Sequence, residues 1–176
     1  MRRALDGAPA IIMFSDQLQE LSRVPSAERT PELLCPKIGK IFRVQETEVA
    51  MLELRGHLLS FVYPPELKDA GAIPISSLAV AARTARTHKS EIYNTFTQVQ
   101  HFSIFELVKL GTTGLDSQII QKLMSVAIRA DNNRVWGVIQ ISRKGPRPAV
   151  AGPDFTPEDL SKLEAIATVL GKMMAS

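Results

Sequence analysis

The sequence predicts an α+β fold: a mainly antiparallel central sheet of about five or six strands, with helices packed on one face. Three observations predict it. Two strongly apolar runs, Gln121 to Arg129 and Arg134 to Arg143, are joined by the turn-prone Asp131-Asn132-Asn133 and read as an antiparallel pair. A second pair, Glu48 to Leu54 and His57 to Tyr63, flanks Arg55-Gly56 as a hairpin would. Amphipathic helical stripes stand at both ends of the chain, placed to pack together on one face of such a sheet.

In chain order, Ile11, Phe14, Leu18 and Leu21 recur at helical spacing and predict an amphipathic helix from Pro9 to about Ser22. Thr30-Pro31 reads as an N-cap followed by proline at the first helical position, opening a second helix through Leu34, Ile38 and Ile41. Pro36 is expected to kink or delay that helix. Beyond the hairpin, Pro64-Pro65 ends a strand, and a loop holds Gly71 and Pro74. Ser77 is placed to cap a short Ala-rich helix from Leu78 to about Thr87, Glu91-Ile92-Tyr93 reads as a brief strand, and Phe102 to Leu110 as another short helix.

Val135 to Ile141 is apolar at nearly every position, which predicts a central strand covered on both faces. The last helix has the clearest start. Thr156 is a candidate N-cap, Pro157 suits the first helical position, Asp159 completes a capping box, and Phe155 is placed to staple onto Leu160. Leu160, Leu163, Ala167, Leu170 and Met174 carry the apolar stripe onward, with Gly171 weakening the last turn.

The 176 residues suit one domain that buries its core without metal or disulfide staples. No apolar run approaches the roughly 20 residues of a membrane helix, and Asp6 interrupts the only stretch placed to be a secretory signal, so a cytoplasmic protein off the membrane is expected. Cys35 is the single cysteine, which excludes an internal disulfide and a two-thiol redox cycle within the chain. A net charge of +3 dispersed along the chain, with no interleaved aromatics beside its basic residues, argues against nucleic acid. There is no serine elbow between glycines, no glycine-rich phosphate loop and no His-Glu-x-x-His helix, so no catalytic residue is assigned. No histidine pair has metal-ligand spacing.

Taken together, the strand at Val135, the loop, the Phe155-Thr156-Pro157-Glu158-Asp159 entry to the helix, Ile73-Pro74 and the small-residue helix after Ser77 resemble a GAF domain. The resemblance covers roughly residues 30 to 174; residues 1–29 form an N-terminal extension and 30–176 the GAF-like domain. It implies terminal helices on one face of the sheet, and short helices and loops forming a ligand pocket on the other. Carried onto this chain, the pocket maps to Tyr93, Asn94, Phe96, Phe105, Ser125 and Ala127.

The resemblance also separates branches of the family. Cyclic-nucleotide binders carry Asn-Lys, then Phe, then Asp-Glu; Lys144, Phe155 and Asp159 match, while Arg143 and Leu160 break the pattern. Bilin attachment needs a cysteine in the second half of the domain, where Cys35 is not. Haem binding needs a histidine ligand, and His57, His88 and His101 lack a supporting partner in the sequence. All three cofactors are therefore disfavoured, and the reductases of free methionine sulfoxide, which use several cysteines, are poorly matched by one. Outside the pocket, Arg83, Arg86, His88 and Lys89 form a candidate patch for an anion or an acidic partner.

The resulting expectation is a non-enzymatic sensory or regulatory GAF-like domain that binds a small ligand or a protein effector and forms a homodimer through its terminal helices. The alternative is a dimerising scaffold with a closed pocket, and an enzyme of unrecognised type ranks after it.

Overall fold

The computed structural model describes residues 8–98 and 119–174. Its elements are α1 (Ala8–Ser22), α2 (Pro31–Phe42), β1 (Val49–Arg55), β2 (Leu58–Tyr63), β3 (Ala72–Pro74), α3 (Val80–Thr87), β4 (Glu91–Tyr93), β5 (Ile120–Arg129), β6 (Val135–Lys144), α4 (Pro148–Ala151) and α5 (Pro157–Met174). The strands form one open six-stranded sheet in the order β3-β2-β1-β6-β5-β4, with every pair antiparallel. The fold is therefore α+β, with the mainly antiparallel sheet the sequence predicts.

Alternation along the central strands divides the interior in two. Val49, Met51, Met124, Val126, Ile128, Ile139 and Ile141 share a core with Leu21, Leu34, Cys35, Ile38, Leu163, Ile166 and Leu170, placing α1, α2 and α5 on one face. Leu52, Leu59, Phe61 and Val138 meet Ala81, Ala82 and Ala85 of α3 on the other face. The alanines keep that side thin enough for α3 to lie directly on β5 and β6. Coverage of both faces explains why β5 is buried from Ile120 to Ile128.

Several boundaries differ from the sequence expectation. The loop holding Gly71 and Pro74 contains the short edge strand β3, where Leu59 pairs with Ile73 and Pro74 closes the strand. The helix expected from Leu78 starts at Val80, because Ser77 Oγ accepts a hydrogen bond from the Ala79 amide and holds that stretch as a turn. No kink or delay is needed at Pro36: α2 runs continuously through it. The bond it forfeits would have reached the carbonyl of Glu32, an exposed first-turn residue open to water. The Pro/Gly-rich loop after β6 contains the single turn α4. The helix expected over Phe102 to Leu110 lies outside the described residues.

The start of α5 follows the sequence closely. The Thr156 amide donates to Asp159 Oδ2 at 2.9 Å, and the Asp159 amide donates to Thr156 Oγ1 at 3.1 Å, a reciprocal capping box. Phe155 is buried beneath it, and Leu160 packs against the same core. Both Phe155 and Asp159 are thus occupied in starting a helix.

Candidate functional site

On the α3 face, polar residues alternate along the central strands. Gln140, Ser142 and Lys144 occupy every second position of β6, and Ser125 lies opposite Gln140 on β5. Gln140 Nε2 donates to Ser125 Oγ at 3.2 Å, Ser125 lies 2.7 Å from Thr84 Oγ1, and Thr84 donates to the Val80 carbonyl at 2.9 Å. Because the Thr84 proton is committed to Val80, Ser125 is the donor in the middle step. The chain of bonds ties α3 to the sheet and satisfies buried polar groups that would be costly unpaired.

Farther along β6 the polar row opens. A small cavity of about 30 Å³ is lined by Ala50, Phe61, Leu67, Leu123, Gln140 and Ser142 among others. Part of its wall, Thr47, Glu48 and Lys144, is shared with an outer groove of about 360 Å³ completed by Gln45, Gly145, Pro146, Val150 and Ala151. The inner space suits a water molecule, and the outer one is within the range of small-molecule sites.

Lys144 is the charged group between the two spaces. Its Nζ donates to the Thr47 carbonyl at 3.0 Å. Burial holds its pKa below the ordinary lysine value, and the Glu48 carboxylate works in the opposite direction. Glu48 is itself engaged by backbone: its two oxygens accept from the Gln45 amide at 2.8 Å and the Lys144 amide at 2.7 Å. An ammonium has three donors, and among the described residues Lys144 spends one.

The outer wall is held from β5. Gln121 Nε2 donates to the Gly145 carbonyl at 2.8 Å, and the Gly145 amide donates to the Ile119 carbonyl at 2.9 Å. Lys122, nearly buried, reaches the Gly152 carbonyl at 2.6 Å and Asp154 at 2.8 Å. Next to it, Arg143 lies 4.8 Å over the Phe155 ring and donates to the Phe42 carbonyl at 3.3 Å.

The residues mapped to the pocket from the sequence are dispersed. Tyr93 accepts from Arg83 through its hydroxyl. Asn94 clasps Phe155 with bonds of 3.0 and 2.8 Å, linking the end of β4 to the start of α5. Phe96 is fully buried beside Val80, Ile120 and Leu123. Ser125 belongs to the bond chain described above, and Ala127 lines a separate polar depression of about 260 Å³ with His88, Arg129 and Glu164. Phe105 lies outside the described residues.

The basic run is similarly divided. Arg83 makes a two-bond pair with Glu91 at 3.0 and 2.6 Å, while Arg86 donates to the carbonyls of Ile75 and Ser77. His88 ends α3 in the left-handed region at φ 61°, and the Lys89 amide donates to Thr87 Oγ1. The two guanidiniums do not converge on one free face. Period-two polarity in β6 was the available signal for the groove residues Gln140, Ser142 and Lys144. Thr47, Glu48 and Lys122 join the site through contacts that no local pattern announces.

The nucleotide-signature residues also part company: Lys144 turns to Thr47, and Asp159 to Thr156. Among the described residues, no group of three or more His, Cys, Asp or Glu side chains is placed to hold a metal ion. No described helix is long and apolar enough to cross a membrane.

The sheet order, with both terminal helices on one face and α3 on the other, defines a GAF-like fold. No protein-family model matches the chain, and no curated protein does. Solved structures match it over most of its length. The GAF domain of an Acinetobacter phosphoenolpyruvate-protein phosphotransferase has a TM-score of 0.68 at 13% identity, covering 93% of each chain. The GAF domain of a phosphoenolpyruvate-protein phosphotransferase from Coxiella burnetii has a TM-score of 0.68 at 9% identity, covering 94% of this chain and 92% of its own. A free methionine-R-sulfoxide reductase from Neisseria meningitidis, solved with its substrate, has a TM-score of 0.64 at 14% identity, covering 92% of this chain and 88% of its own. GAF domains and sulfoxide reductases thus share this fold, and function has to be argued from the site.

Proposed function

We propose that this chain is a non-enzymatic, cytoplasmic regulatory domain of GAF type that binds a small acidic ligand in the groove at Lys144. The observation that carries the reading is a partly buried ammonium, with two donors unspent among the described residues, between an inner cavity and an outer groove of ligand size. A carboxylate or comparable anion would engage those donors. Its other atoms would lie against Val150, Ala151 and Pro146. Binding there would bear on the loop that leads into α5, and α1 and α5 would pass the bound state to a second copy or to a protein effector.

The reductase neighbours raise an enzymatic reading, and Cys35 supports the non-enzymatic one. It is the chain's one cysteine, it is fully buried in α2, and burial raises its pKa, followed by the charge of Glu32. A thiol held protonated away from solvent is a poor nucleophile. The closed-scaffold reading draws support from the inner cavity's small size and the internal bonding of Ser125 and Thr84.

Native mass spectrometry of the purified protein tests for a retained ligand without naming one. Thermal-shift screening then uses 2-oxoacids, amino acids, cyclic nucleotides and tetrapyrroles. A ligand at 100 times its dissociation constant stabilises by about 2.7 kcal/mol. The expected result is stabilisation by an acidic member of the panel, weakened about tenfold or more in Lys144→Met. Unaltered binding in Lys144→Met sinks the site, and silence across both experiments favours the scaffold.

A further inference from the structure

The end of the sheet remote from Lys144 carries a second, independent feature. On β6, Gly137 pairs with Ile128 and Val135 with Arg129, so Trp136 is an extra residue with no partner on β5. This is a β-bulge, which bends a strand and re-aims the side chain at the inserted position. The β1–β6 ladder stops at the same place, with Glu53 opposite Gly137, although β1 continues to Arg55 and β6 begins at Val135. A groove of about 490 Å³ opens where the two strands part. It is lined by Trp136, Leu54, Val135 and Met174, with Arg55 and Arg134 at its edge.

The charges on this groove are unbalanced. Among the described residues that line it, Glu53 is the one acid, and it is paired at 3.1 Å with Arg55, whose side chain is 80% exposed. The Arg134 guanidinium is exposed and has no partner among the described residues. Asp131 lies in the adjacent turn but lines the depression on the other side. A half-buried tryptophan flanked by arginines is the composition that carries binding energy at protein interfaces. Apolar contact from Trp136, Leu54 and Val135 would seat one side chain, while the arginines select carboxylates beside it.

We infer that this groove docks an acidic segment of a partner protein, one that presents an apolar side chain between carboxylates. Trp136 is the only tryptophan in the chain, so its fluorescence reports on the site directly. The probe is a blocked pentapeptide with leucine at its centre and aspartate and glutamate on either side; its control replaces the acids by their amides. The acidic peptide should give a saturable change in Trp136 emission, and the amide peptide should require at least about tenfold more. Arg55→Gln with Arg134→Gln, both at exposed positions, should remove the preference while unfolding at the wild-type temperature. Equal response to the two peptides, or a preference that survives the double variant, overturns the proposal. So does a tighter saturable response to a single-stranded oligonucleotide of matched charge, or a protein-concentration-dependent change in emission that matches self-association. Lys144 lies at the opposite end of β6, so Lys144→Met should leave this response unchanged whether or not the ligand groove is correctly assigned.

Discussion

The Cys35 thiol packs wholly inside the core formed by α2, α5 and the sheet, and burial keeps it protonated far into the alkaline range. In the unfolded chain the same thiol ionises near about 8.5. Above that pH the unfolded state loses a proton that the folded state retains, so stability falls as pH rises. Tyr63 acts in the same direction at higher pH, its pKa raised to about 12 chiefly by burial. A Cys35→Ala variant retains Tyr63 and lacks the thiol. Its stability deficit against the parent, measured by urea unfolding, should therefore narrow above pH 8.5 by up to about 1.4 kcal/mol per pH unit. A deficit constant from pH 7 to 10.5 would show that the folded protein exposes the thiol, and would reopen the sulfoxide-reductase reading. The buried face of α2 is legible from the spacing of Leu34 and Ile38, and Cys35 lies beside Leu34 on it. The consequence for pH is not, since that depends on how completely the sheet closes over the thiol.

At the scale of the element, α5 is seated on β5 at a glycine. A methyl group at Gly171 would be driven into the Arg129 carbonyl, and the backbone it meets cannot swing aside as a side chain would. The sequence marks Gly171 as a weak point in the last turn, but the packed helix requires its smallness. Gly171→Ala gains intrinsic helix propensity of about 1 kcal/mol and still should destabilise the protein, because overpacking here costs about 1–3 kcal/mol and displaces the helix end. Calorimetry that shows a higher melting temperature for Gly171→Ala would contradict this packing. The N-terminal end of α5 was readable in Phe155, Thr156 and Asp159, whose bonds are local. The bulge at Trp136 was not, because it exists only in relation to β5 and β1. The edge strand β3 carries no local signal for a similar reason: three residues ending in proline have no periodicity, and only pairing with β2 makes them a strand.

For the whole molecule, the two sheet faces divide the work. The α3 face carries the alternating polar row that leads to Lys144, a pattern visible along β6 once the fold tells which side it faces. The helical face is mostly apolar, with Lys122 and Arg143 near the Lys144 end of the sheet, and its outer surface leaves several apolar groups incompletely covered. Met13 of α1 is 56% exposed, and Phe14, Leu18, Leu160 and Val169 are only partly buried although they pack against the core. Lys162, 5.5 Å from the Phe14 ring, covers part of that surface with its stem. Pairing α1 and α5 of two copies about a two-fold axis would bury the remainder, and each residue on the patch would then act twice. Light scattering at micromolar concentrations should accordingly give the mass of a dimer. Met13→Asp puts two charges into that interface without touching the core, so dimerisation should weaken about tenfold or more while the circular dichroism and melting of the protomer persist. A strict monomer for the parent protein, or a dimer indifferent to Met13→Asp, would move any communication between copies away from the α1–α5 layer. The proposed ligand groove at Lys144 would then have to act through an effector that reads the loop before α5.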